Sequence, residues 1–251
     1  MQTTFARISA RLQRLTTGRK EGVAHRMRAS TLALATLVLF AASPVAAQQN
    51  PDLAPYMIAD RAAEVALARS AAPKHVSDSA TVLVLTRTGF VEAARGTNGF
   101  SCFVLRSFDG SIGDPNFWNP RVRAPHCMNP PAARTVLPEV LKQAAWIMAG
   151  VSPTEIATRT QRAYASHEFP MPAVGSMAYM LSPEQHLVDA NPRWMPHMMF
   201  YYDKSMPPAA FGAGDMTAPV INGSVGDKLS PVLTLFIPVP QWSDGTPAAG
   251  H

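Results

Sequence analysis

Charge and cysteine are both scarce in this 251-residue chain: charged residues make up 16%, and the only cysteines are Cys102 and Cys127. Their separation leaves no CxxC spacing for redox chemistry or zinc. HExxH, GxSxG, the P-loop and the dinucleotide fingerprint are missing too, which removes the readable signatures of zincins, α/β-hydrolases and nucleotide-binding domains. The longest apolar run, residues 31–42, falls short of the roughly 20 residues a bilayer span needs. No internal repeat marks a solenoid.

An excess of basic charge is lacking as well, once the chain is divided. Of the 22 Lys and Arg, seven lie in residues 1–29, against one of the 17 Asp and Glu. A basic start, the short apolar core and the small residues Val45 and Ala47 form a secretory signal, so residues 1–47 are expected to be a cleaved leader. Met27 is an alternative start. Without an Arg-Arg pair or a cysteine beside Ala47, neither a twin-arginine route nor a lipid anchor is expected. Residues 48–251 then carry 15 basic and 16 acidic side chains, a net charge of −1. That balance provides no footprint for nucleic acid. The expected location is periplasmic or secreted, in a bacterium, with no stable membrane anchor after cleavage.

What is abundant is proline: 23 in all, scattered through apolar segments. This predicts one exported domain with long ordered loops rather than disorder. Residues 48–57 read as a flexible lead-in, and Ile58–Ala71 as a helix ending before Pro73. Thr81–Thr86, Phe90–Arg95 and Phe100–Phe108 are apolar runs split by Thr88-Gly89 and Asn98-Gly99, which predicts a three-stranded antiparallel meander. Residues 109–125 have many breakers and no period, and read as a long loop. Asn129-Pro130 starts a helix reaching to Gly150, with a bend expected at Pro138, and Ser152 starts a second helix to about Ser166. These should pack as an antiparallel hairpin. Ser176–Leu181, His197–Tyr202 and Val232–Pro238 are further strands. The expected class is α+β, a mainly antiparallel sheet with a packed helical hairpin and long Pro-rich loops.

Three constellations could carry chemistry. In an exported chain Cys102 and Cys127 are expected to form a disulfide, stabilising by roughly 3 kcal/mol through loop closure; two buried thiols, or a cysteine nucleophile beside His126, are the alternatives. In the 109–130 loop, Trp118, Arg121, Arg123, His126 and Asn129 could form an anion or carboxylate site near a helix start, or could simply satisfy loop backbone. At the entry of the third segment, Trp194 and His197 could line a small-molecule pocket. Met195, His197 and Met199 share one strand face and are the weak candidates for a copper site, copper being the only cofactor the residues suggest. Methionines on both faces of that strand read more simply as core packing.

The segments NGFSCFVLRS, FWNPRVRAPHCMNPPAAR, SMAYMLS, RWMPHMMFYY and IPVPQWSDG resemble a set of uncharacterised exported bacterial proteins. The resemblance covers most of residues 48–251 and implies no activity or cofactor. In that pattern a histidine precedes Pro196, giving His-Pro-His; Met195 stands there in this chain. If that pattern binds metal, the departure weakens the site or shifts it towards softer donors. The expected function is a non-enzymatic small-molecule or partner-binding domain, the alternative a hydrolytic or metal-assisted enzyme using His126 and His197.

Overall fold

The computed structural model describes residues 50–225, 227 and 230–248; the leader assigned to residues 1–47 lies outside them. Helices α1 (Arg61–Arg69), α2 (Lys74–Ser77), α3 (Pro130–Thr135), α4 (Leu137–Met148) and α5 (Pro153–Ala165) accompany eight strands. The strands are β1 (Thr81–Thr86), β2 (Gly89–Ala94), β3 (Ser101–Leu105), β4 (Ala124–Met128), β5 (Met177–Met180), β6 (His197–Asp203), β7 (Ile221–Asn222) and β8 (Val232–Pro238). They form one sheet in the order β2-β1-β3-β4-β5-β6-β8-β7, antiparallel except between β1 and β3. The fold is therefore α+β with a mainly antiparallel sheet. Among the described residues no helix is long and apolar enough to cross a membrane.

The predicted meander is corrected at its third strand. β1 and β2 form the hairpin, joined by Arg87-Thr88, but β3 pairs with β1 in parallel. Residues 95–100, containing Asn98-Gly99, are thus not a tight turn but a crossover past the start of β1. Thr97 and Asn98 donate their amides to Ser79 O at 2.8 and 3.3 Å, and Asn98 Nδ2 reaches Val76 O at 2.7 Å. Asparagine here ties a crossing to the α2 end instead of closing a hairpin.

A second correction concerns residues 109–125. The last two belong to β4, which is buried at every position. The reason is that the sheet is covered on both faces there. On one side Cys102, Val104 and Cys127 pack with Ala68, Ala71 and Val76 of the α1–α2 region. On the other, Phe103 and Met128 pack with Ala132, Val136 and Leu137 of α3 and α4. A strand apolar on both faces shows no alternation to read. Cys102 and Cys127 are register partners across β3 and β4 and are joined as a disulfide.

The lead-in is pinned rather than free: Tyr56 is buried, and its hydroxyl donates to Trp118 O at 2.6 Å. The helices follow their caps. Asp60 accepts from Ala62 N, shortening the first helix to begin at Arg61; Asn129 and Ser152 accept from Ala132 N and Glu155 N. The bend expected at Pro138 is a break at Val136, with Pro138 in the first turn of α4. α4 and α5 run antiparallel, since Glu139 meets Tyr164 while Gln143 meets Thr160.

Candidate functional site

The α4–α5 hairpin does not close down on the sheet everywhere. Between it and β4, β6 and β8 lies a cavity of about 290 Å3, completed by residues 109–112 and by Gly223, Ser224, Asp227 and Ser230. Its walls include Leu105, Ile112, Val140, Met199 and Phe236, with polar groups from Asp109, His126, Glu139, Tyr201 and Asp227. The size sits at the low end for small-molecule pockets.

Each polar group is placed by its element. His126 comes from β4, one residue from Cys127, and so faces opposite to the disulfide, into the α3–α5 side. Its Nε2 and the Tyr201 hydroxyl share a hydrogen bond of 2.7 Å, and its Nδ1 is buried without a partner in the protein. Burial lowers its pKa to about 3, helped by the neighbouring His197, so the ring is neutral near pH 7. Burial alone pushes the Tyr201 hydroxyl well above its ordinary value. Asp109 closes a short 3-10 turn after β3. Its Oδ2 accepts from Arg106 N at 2.7 Å, while Oδ1 is buried and unpartnered. Burial raises this carboxyl to about 7, against the opposing pull of the Arg106 amide and guanidinium. Glu139 in the first turn of α4 accepts from Tyr164 Oη at 2.5 Å and from Gln143 Nε2 at 3.0 Å. Its carboxyl is also raised, first by burial and further by Asp227, against the Tyr164 hydrogen bond.

Of the residues singled out in the sequence, only His126 and Met199 line this cavity. The others are engaged elsewhere. Trp118 packs edge-on to Phe117 at 4.8 Å and to Tyr56 at 6.4 Å. Arg121 is paired with Asp189, and Arg123 donates to the carbonyls of Pro120, Val122 and Pro55. The Arg123 backbone also exchanges two hydrogen bonds of 2.8 Å with His186, locking the two Pro-rich loops together. Asn129 caps α3 and holds Met177 N and Gly175 O. The arginines therefore do not converge as an anion clamp: they tie loops.

Trp194 and His197 do meet, ring centroids 4.7 Å apart, and both rings abut Phe236 on the cavity wall. The pair forms the back of the site rather than its lining. His197 Nδ1 donates to Met195 O at 2.9 Å, which fixes the tautomer; Met195 thus meets His197 through its carbonyl. The Met199 sulfur instead receives the Tyr201 hydroxyl at 3.7 Å. Among the described residues no three His, Cys, Asp or Glu gather as a metal site. Asp109, Glu139 and Tyr201 went unread in the sequence. The signal available for Glu139 was its spacing, with Gln143 at i+4, both flanking the apolar stripe of Val136 and Val140.

His197 predicts an acid-side stability loss. Burial lowers its pKa from 6.5 to about 4, so above pH 6.5 neither folded nor unfolded chain is charged there. As pH falls from 6.5 towards 4, only the unfolded chain takes the proton, and stability is lost. Relative to wild type, His197→Gln should therefore show a stability deficit about 2 kcal/mol smaller at pH 5 than at pH 7. Urea unfolding at the two pH values reads this; an equal deficit would mean the ring is charged in the fold.

No family model matches the chain, and no curated protein or solved structure matches it either.

Proposed function

We propose that this is an exported, non-enzymatic binding domain whose small-molecule ligand occupies the cavity between the α4–α5 hairpin and the sheet. The observation that carries the reading is a largely apolar cavity lined by His126 and Asp109, two residues that each keep one buried polar atom, Nδ1 and Oδ1, without a partner in the protein. Leaving a buried polar group unpaired costs about 1–3 kcal/mol, and a bound molecule offering hydrogen bonds recovers it. Export rests on the basic and apolar character of residues 1–47, with the Cys102–Cys127 disulfide in keeping with an oxidising compartment. The hydrolytic alternative draws on His126 alone, since His197 stands behind Phe236.

The experiment is a thermal-shift screen with fragment-sized amines, alcohols and carboxylates, repeated on Ala157→Trp, which adds an indole to the α5 wall of the cavity. A molecule at a hundred times its Kd raises stability by about 2.7 kcal/mol. The expected result is a shift in wild type that Ala157→Trp abolishes while itself unfolding cooperatively. Shifts that survive in Ala157→Trp would place binding elsewhere and defeat the reading.

A further inference from the structure

We propose that the ligand is a linear amphiphile whose polar end occupies this cavity and whose apolar arm lies in a second cavity beside it. The inference rests on the first cavity being a ligand site, and it follows from the residues the two spaces share and from what the second one presents.

The second cavity, of about 190 Å3, is bounded by the turn after β3, the start of β4 and the loop carrying Leu187 and Val188. Leu105, Asp109 and Gly110 line both spaces. Beyond them the chain serves one side and then the other: Ser111 and Ile112 line the first cavity, Asp114 and Asn116 the second. One stretch of chain is thus the partition, and at Gly110 it has no side chain to obstruct a passage. The opposite wall is held in place, because Arg123, between Val122 and Ala124, exchanges two backbone hydrogen bonds of 2.8 Å with His186, beside Leu187. Joined, the two spaces move the site from the low edge of the small-molecule range to well inside it.

Which end goes where follows from the hydrogen bonds already made. In the second cavity the Arg106 guanidinium is held by Tyr56 O and Glu64, and Ser107 Oγ donates to Phe117 O at 2.8 Å. Asp114 is solvent-exposed, and its Oδ1 takes the Asn116 amide at 2.6 Å. The rest of the wall is largely apolar: Leu105, Val122, Ala124, Leu187 and Val188, the last 36% exposed. Such a wall is better covered by hydrocarbon than by a polar group that finds no partner. His126, whose Nδ1 has no partner in the protein, lines the first cavity, and so do Ser224 and Thr234. A hydroxyl both donates and accepts, so a hydroxyl end can bond there whichever nitrogen of His126 carries the proton.

The test uses 1-hexanol and 1-decanol, which share a hydroxyl end and differ by four methylenes, titrated by calorimetry into wild type, Val188→Trp, Leu187→Trp and Ala157→Trp. Each methylene taken out of water is a factor of about four in Kd, so decanol should bind wild type about tenfold or more tighter than hexanol. Val188→Trp and Leu187→Trp each place an indole in the second cavity and should erase that margin while leaving hexanol unchanged; using two variants covers the case in which one fails to fold. Ala157→Trp should lose both alcohols. Equal binding of the two alcohols to wild type, or a margin that survives both second-cavity variants, would overturn the two-cavity assignment and leave the first-cavity reading standing. Loss of hexanol along with decanol in a folded Val188→Trp would overturn it too, by placing the polar end in the wrong space. If neither alcohol binds wild type, or both bind Ala157→Trp equally well, the first-cavity reading falls and this inference with it.

Discussion

Arg106→Met should cost this fold about 3–5 kcal/mol, because it strips the partner from a buried carboxylate. Arg106 is 2% exposed, and Glu64, reaching in from α1, is 1% exposed. The guanidinium holds Glu64 Oε1 at 2.7 Å, Tyr56 O at 2.7 Å and, more closely, Val104 O. Glu64 Oε1 also accepts the Leu85 amide at 3.1 Å. The pair therefore ties α1, the segment around Tyr56 and strands β1 and β3 together. Without Arg106, Glu64 is a lone buried charge, and two carbonyls lose their donor. The ion pair is not by itself a net source of stability, since taking two charges out of water is expensive. Glu64→Leu combined with Arg106→Met should accordingly recover most of the loss. Urea denaturation of the two variants decides the matter. A single-variant loss below about 1 kcal/mol would show that water reaches the pair, and no recovery in the double variant would show that the carbonyl contacts dominate.

Gly96→Ala should be about as damaging, roughly 3–5 kcal/mol, through overlap rather than lost attraction. At Gly96 the chain crosses the start of β1 with backbone against backbone. A Cβ built there falls onto Thr81 N and the Ala80 carbonyl carbon, with Ser79 O at 2.5 Å. None of these is a side-chain tip that could swing away. The same crossing anchors itself through Gly96 N to Thr81 Oγ1 at 3.1 Å and Thr81 N to Phe100 O at 2.9 Å, so moving the strand to make room breaks the entry to the β1–β3 pairing. Gly113→Ala serves as the comparison: it has positive φ but open space around it, and should lose much less. Melting temperatures of the two variants are the readout; equal losses would mean the crossover shifts freely and the close approach is not what requires glycine.

The sequence by itself determined the parts whose cause is local. Apolar runs bounded by breakers, β-branched in β1 and β8, located β1, β6 and β8 almost to the residue, and Asn129 and Ser152 marked helix starts because their side chains accept from orphan amides within the first turn. The helical period of Val136, Val140, Ala144 and Ile147 located α4 and its buried face. Two cysteines with no other partner were enough to expect one disulfide. Tertiary structure decided the rest. β4 was hidden because both its faces are covered, which removes the period that strand reading depends on. The parallel β1–β3 pairing was hidden because partner choice depends on the whole sheet, while Asn98-Gly99 has the same local appearance in a turn and in a crossover.

The site was the least legible of all. The arginines of the 109–125 loop looked like ligand groups because they stood close together in sequence, yet each points at a different carbonyl or acid and holds loops in place. The groups that do converge, Asp109, His126, Glu139, Tyr201 and Asp227, are spread over more than a hundred residues. A local pattern records which face of an element is buried. It does not record where two buried faces stand apart, and it is that gap between the α4–α5 hairpin and the sheet that brings these polar residues together around one space.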